Sequence, residues 1–275
     1  MSACTYPRGV NRVSSVELNH HRVGSGPPLV LIHGIGSRWQ VWGPVLRRLA
    51  AERDVIALDL PGFGASPMPP PGTPPGIVSL TRLVGEFIVG LGVQQPHVAG
   101  NSLGGLISLE LAKQGRVRSA TGLSPAGFYN DKEAAYARRS LKITVRASRL
   151  LAPRVDRLTA SPLVRTLTFS QVVAKPRMLG AADAAAQVRA LAEAPWFDAT
   201  LPAIADDRFA GGEAIQVPVT IAWGTKDRLL LPRQGRRAVR MIPGARLVPL
   251  SGCGHVPTYD DPELVARVLL DGSRG

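Results

Sequence analysis

Apolar and polar positions along the chain change rhythm repeatedly, and each change marks an element. Residues 28–33 hold the continuous apolar run Leu29-Val30-Leu31-Ile32, as in a strand covered on both faces. Residues 40–51 place Val41, Val45, Leu46 and Leu49 on one stripe, the pattern of a helix packed along one side. A second buried strand over 54–60 runs into Pro61-Gly62-Phe63-Gly64. Beyond a breaker-rich loop at 67–76, the pattern predicts a helix over 78–91, a short strand end at 97–100, a helix over 103–113 and a strand over 118–123. The same rhythm returns late in the chain, with strands at 217–223 and 245–250 and a helix at 233–241 between them. A last helix starts behind Asp261-Pro262, an Asp N-cap followed by Pro in the first turn. Such alternation predicts a parallel sheet with helices on both faces. A strand-like stretch at 13–18 opens the chain as part of an edge hairpin that carries His20 and His21.

The rhythm breaks between 128 and 212. No strong strand occurs there, only helical stretches rich in alanine and arginine with prolines between them. An insertion of about 85 residues is far longer than an ordinary connection, and insertions of that size tend to be functional. The expected organisation is a core over 1–127, a helical lid over 128–212, and the rest of the core over 213–275.

Composition narrows the class. The chain has 275 residues, 45% of them hydrophobic, enough for one sizeable α/β core. No apolar run reaches the eighteen or so residues a membrane span needs, and residues 1–12 lack the apolar centre of a secretory signal. Cys4 and Cys253 stand at opposite ends and suggest no disulfide framework, so a reducing, cytoplasmic setting is expected. The net charge is +13, from 33 Lys and Arg against 20 Asp and Glu. The excess is spread along the chain without zinc-ligand spacing or a recognition helix, which argues against nucleic acid as a partner.

One stretch concentrates the charge. Over 132–151, Tyr136, Ile143, Ala147 and Leu150 share a helical stripe, while Arg138, Arg139, Lys142, Arg146 and Arg149 fall largely outside it. The reading favoured from sequence is that the apolar stripe covers a pocket and the basic side faces water. A basic amphipathic helix also suits an anionic membrane surface, which would make the protein peripheral to a membrane, or an acidic acyl-carrier protein.

Gly100-Asn101-Ser102-Leu103-Gly104 matches G-x-S-x-G and lies directly between a strand and a helix, where a nucleophile elbow belongs. A serine hydroxyl needs a base within reach, itself oriented by an acid. Of the five histidines, only His255 follows a late sheet strand in a glycine-rich loop, at the carboxyl edge where α/β sheets hold ligands. Asp227 follows the apolar strand at 217–223, whereas Asp206 and Asp207 fall in the insertion. Ser102, Asp227 and His255 are therefore the expected catalytic residues. The oxyanion hole is expected from the backbone amides of Leu103 and Ile35, the latter in His33-Gly34-Ile35-Gly36. His33 is read as tying that loop together, and Phe128, Trp196 and Phe197 as candidate walls of the substrate pocket.

These strings, with Asp59-Leu60-Pro61-Gly62-Phe63-Gly64-Ala65-Ser66 between them, resemble the α/β-hydrolase superfamily from about residue 13 to 270, outside the insertion. The resemblance implies an α/β-hydrolase fold with a mostly parallel, eight-stranded sheet and an inserted helical lid. It implies hydrolysis of an acyl ester or thioester through a Ser-His-Asp triad and an acyl-enzyme, with no metal or organic cofactor. It also implies that the Asp59 loop is mainly a turn. The aspartate nucleophile of haloalkane dehalogenases and epoxide hydrolases is absent. Asn101 and Cys253-Gly254-His255 resemble the C–C hydrolases of ring-cleavage pathways, though Val256 stands where those usually carry tryptophan. A cofactor-free haloperoxidase and a non-catalytic ligand-binding member stay open at this point.

Overall fold

The computed structural model describes residues 16–205 and 207–274. Seven strands form one sheet among the described residues: β1 (His20–Val23), β2 (Pro28–Ile32), β3 (Asp54–Leu58), β4 (His97–Asn101), β5 (Ser119–Leu123), β6 (Val219–Gly224) and β7 (Arg246–Leu250). Their spatial order is β1-β3-β2-β4-β5-β6-β7. Only β1 runs antiparallel, pairing with β3 through His20–Leu58 and Val23–Val55, and all other pairs are parallel. The central strands β2, β4, β5 and β6 are buried almost throughout, and β2 accordingly reads as an unbroken apolar run.

The strand expected at 13–18 lies partly outside the described residues, and 16–18 are irregular. Just ahead of β1, Asp59 N donates to Asn19 O, the Asn19 amide donates to Ser66 Oγ, and Asn19 Nδ2 donates to Asp59. The sheet accordingly has seven described strands where eight were expected.

Helices cover both faces. On one side lie α1 (Gly43–Leu49) and, from the far end of the chain, α10 (Pro262–Gly272), which pack on each other over Leu29, Leu31, Ala57 and Ala222. On the other lie α2 (Ile77–Gly90) and α3 (Leu103–Lys113), with Leu80, Val84, Leu106 and Ile107 set against Val30, Ile32 and Val98. Between β5 and β6 the chain leaves the sheet as α4 (Asp131–Leu151), α5 (Val155–Ala160), α6 (Pro162–Phe169), α7 (Ala181–Ala192) and α8 (Phe197–Ala205). It returns through β6 and then α9 (Arg233–Met241). The inserted helices have a small core of their own, built on Val155, Phe169, Val173, Leu179 and Val188.

Asn130 starts α4 with a reciprocal cap: its Oδ1 accepts from the Glu133 amide, and Glu133 Oε2 accepts from the Asn130 amide. Glu133 then reaches α9, where Arg233 Nε (2.5 Å) and Arg237 (2.9 Å) bind it. Burial opposes ionisation of Glu133, but the Asn130 amide and the two guanidiniums outweigh it and hold the carboxyl below its ordinary range. The insertion is thus clamped to the sheet domain at its first turn.

Candidate active site

The chain builds β2, then β3 to one side of it, then β4 to the other, so the connections diverge at the carboxyl ends of β2 and β4. That is the crevice where open α/β sheets hold ligands. Residues 33–36 leave β2 there, and Ser102 leaves β4. The two loops approach so closely that a Cβ on Gly34 would lie 3.3 Å from Ser102 Cβ.

Ser102 sits between strand and helix with φ 55° and ψ −114°, a left-handed conformation rare for a side-chain-bearing residue. The strain is held by packing that only glycine permits: a Cβ on Gly104 would lie 2.0 Å from the Ile32 carbonyl oxygen. Ser102 N donates to Leu123 O, and Ala126 N donates to Ser102 O, so the elbow is braced from β5. Among the described residues, the amides of Ile35 and Leu103 make no hydrogen bond to a protein acceptor, and both residues line the cavity beside Ser102.

His255 follows β7 on the loop 251–256, and its Nδ1 lies 2.8 Å from Asp227 Oδ2. Both groups are buried, at 3% exposure each. The other oxygen of Asp227, Oδ1, accepts from the amides of Leu229 and Leu230 at 2.9 Å, which fixes the carboxylate just beyond β6. With Asp227 as acceptor, Nδ1 is the ring nitrogen that donates, the arrangement that favours the tautomer with Nε2 as the acceptor. His255 and Ser102 line one cavity together.

Two residues that sequence reasoning left without a role hold the histidine loop in place. Asn101 Nδ2 donates both to Leu123 O (3.0 Å) and to His255 O (2.8 Å), joining the ends of β4 and β5 to the loop. Asp260 accepts from Gly254 N (2.7 Å), Ala174 N (3.0 Å) and Lys175 N (2.7 Å), and Val256 N donates to Val172 O. The histidine loop is therefore stitched to the inserted segment between α6 and α7. Neither role had a complete local signal, because Asn101 reaches His255 and Asp260 reaches Ala174 and Lys175, far along the chain.

The remaining expectations divide. Nδ1 of fully buried His33 donates to Gly34 O (2.7 Å), and its Nε2 accepts from Leu60 N (2.9 Å), so it joins the loops after β2 and β3 as expected. Burial pushes its pKa down, in keeping with the neutral ring these bonds require. Asp59 accepts from Trp39 N, Ala65 N and Asn19 Nδ2, a turn built around one carboxylate. Cys253 is buried, and burial raises its thiol to about 11, so it offers no thiolate at neutral pH.

Phe128, Trp196 and Phe197 do not line the cavity. Phe128 packs on Phe209 with ring centroids 5.2 Å apart, Trp196 covers Gly62, and fully buried Phe197 abuts Gly36. Their burial in the core removes a large apolar area from water. The walls instead come from other residues, arranged in two lobes. One, of about 140 Å³, has His255, Val256, Phe169, Val172, Val188 and Leu191 on its wall. The other, about 40 Å³, is walled by Ala126, Tyr129, Ala134, Ala137, Leu201 and Ile204. They share Ser102, Ile35, Leu141 and Leu229. Among the described residues, no three His, Cys, Asp or Glu side chains are grouped to hold a metal ion.

Comparison with known proteins agrees with this architecture. An uncharacterized protein of Mycobacterium tuberculosis is 30% identical over 257 residues, covering 87% of this chain and 73% of that protein. A putative carbamate hydrolase of Pseudomonas savastanoi pv. phaseolicola is 28% identical over 263 residues, covering 93% and 96%. The structure of an esterase from Exiguobacterium antarcticum superposes with a TM-score of 0.76 at 21% identity, over 94% of this chain and 96% of that one. The model of the alpha/beta hydrolase family matches residues 29–268, and with the sheet order and the elbow at Ser102 in place, the chain belongs to that family.

Proposed function

We propose that this protein is a serine hydrolase that cleaves a carboxylic ester or thioester through an acyl-enzyme on Ser102. The observation that carries the reading is the buried Asp227–His255 pair, 2.8 Å apart, which opens onto the same cavity as the strained serine of the elbow. His255 Nε2 takes the Ser102 proton as Oγ attacks the acyl carbon. The oxygen that gains negative charge is received by the amides of Ile35 and Leu103. His255 then protonates the leaving group, and in the second half-reaction it activates the water that releases the acid. Asp227 holds the ring in the tautomer this sequence of transfers requires.

The lobes have distinct roles in this reading. The leaving group must lie beside the histidine that protonates it, so it occupies the larger lobe, which His255 lines. The acyl substituent occupies the smaller lobe, which has Leu103 but not His255 on its wall. That space suits a short apolar acyl chain. The helices over the site act as a lid, walling both lobes with α4 residues such as Leu141. Asn101, the residue that resembled C–C hydrolases, is accounted for by its two bonds to main-chain carbonyls.

The test is a chain-length series of p-nitrophenyl esters with wild type and Ser102→Ala. Wild type should prefer short acyl groups, and Ser102→Ala should lose on the order of 10⁶-fold in kcat while staying folded. Turnover by Ser102→Ala at the wild-type rate would overturn the assignment.

A further inference from the structure

The sequence pattern of α4 suggested that its apolar stripe covers the pocket, and the structure places that stripe on the outside. Tyr136, Ile143 and Leu150 recur every seventh residue, so they lie in one line along the helix, and they are 47%, 58% and 80% exposed. The buried face is a different one, made of Ala134, Ala137, Val145 and Ser148, with Leu141 partly buried. Small residues let α4 lie close over the cavity, which left the larger apolar side chains facing outward. On α6, Leu163 and Leu167 occupy one face four residues apart and are 61% and 73% exposed.

The two helices flank the same lobe of the site. Thr144 and Ser148 of α4 and Thr168 and Phe169 of α6 wall the same lobe, and Ser140 on α4 hydrogen-bonds Gln171 just past α6. Beyond its first turn, the charge along α4 itself has one sign. Between residues 134 and 155 the chain has no Asp or Glu, while Arg139, Lys142 and Arg146 are exposed along one flank of the apolar line. Arg138 and Arg149 are engaged elsewhere: Arg138 lines the smaller lobe, and Arg149 pairs with Asp198.

We propose that this face of α4 and α6 docks the protein on an anionic lipid bilayer, with Ile143, Leu150, Leu163 and Leu167 entering the headgroup–acyl boundary and Arg139, Lys142 and Arg146 meeting the lipid phosphates. An apolar line flanked by cations, on a helix with no acidic residue between 134 and 155, matches the layering of such a surface, apolar below and negative above. No helix among the described residues is long and apolar enough to cross a membrane, so the contact is peripheral. Docking would set the lobe walled by these two helices against the lipid. It is separable from the chemistry, because none of these side chains lines the cavity.

The experiment is vesicle co-sedimentation of the full chain with vesicles of phosphatidylcholine alone or mixed with phosphatidylglycerol, at low and high salt. Wild type should pellet with the anionic vesicles and release as salt rises. Arg139→Glu/Lys142→Glu/Arg146→Glu should bind at least roughly 100-fold more weakly, about fivefold for each cation lost before the added repulsion of the three carboxylates. Ile143→Ser/Leu167→Ser should also bind more weakly with its charge unchanged. Hydrolysis of p-nitrophenyl acetate should match wild type in both variants, which shows that they are folded. Failure of wild type to pellet with anionic vesicles, or equal binding by the triple variant, would overturn the proposal. So would sedimentation velocity showing a lipid-free dimer that Ile143→Ser/Leu167→Ser converts to monomer, since a second copy would then cover the stripe.

Discussion

At the scale of single residues, the site is a set of groups with one geometry available to each. Asp227 uses Oδ1 on two backbone amides and Oδ2 on His255, so the two oxygens do different work. Asp227→Asn keeps an oxygen for the Leu229 and Leu230 amides but turns an NH₂ toward the ring, where it cannot accept the Nδ1 proton. The histidine then favours the other tautomer. The expected outcome is a fall in kcat on the order of 10⁴ with little change in unfolding temperature, read by ester hydrolysis and circular dichroism. A rate within tenfold of wild type would show that Asp227 does not orient His255. The candidate triad was legible in the sequence at this scale because elbow and loop glycines flank the reactive residues, as Gly100 and Gly104 do around Ser102 and Gly252 and Gly254 do before His255. Asn101 and Asp260 were not, since the partners they hold lie far along the chain.

At the scale of elements, the sheet strands and their helices were readable because their burial is dictated by local pattern: two-sided burial for β2 and β6, one-sided for α1 and α2. The insertion was less readable. An amphipathic pattern says that two faces of α4 differ, but the face turned inward depends on how closely the helix must approach the cavity. Alanines won that position over tyrosine, isoleucine and leucine. The same closeness gives a specificity test. Ala137 lines the smaller lobe, and Ala137→Phe would fill it. Longer acyl esters should lose at least about tenfold in kcat/KM while the acetyl ester is spared, at an overpacking cost of roughly 1–3 kcal/mol in stability. An unchanged chain-length profile in a folded variant would remove the smaller lobe from the acyl site.

At the scale of the whole molecule, two buried histidines couple stability to pH. His97 at the start of β4 places Nδ1 2.8 Å from Ser119 Oγ, which itself donates to Gly272 O. Burial, with the cations of Arg53 and Arg118 nearby, lowers its pKa to about 4 from the ordinary 6.5. His33 shifts in the same direction, chiefly through burial. In the unfolded chain both titrate near 6.5, so between about pH 6.5 and 4 the unfolded state binds more protons than the native one. Stability should therefore be fully present above pH 6.5 and fall as the pH drops toward 4. Urea midpoints measured from pH 7 to 4.5 should show a steeper decline for wild type than for His97→Gln. Parallel curves would mean that His97 titrates normally in the fold.

The central claim is that one serine of this chain is an activated nucleophile. The direct measurement is intact-protein mass spectrometry after exposure to a fluorophosphonate, followed by peptide mapping. The account predicts a single adduct on Ser102 in wild type, none in Ser102→Ala, and a much slower reaction in His255→Ala, where the base is gone but the serine remains. A wild-type protein that stays unlabelled, or one labelled equally fast after Ser102→Ala, would contradict it.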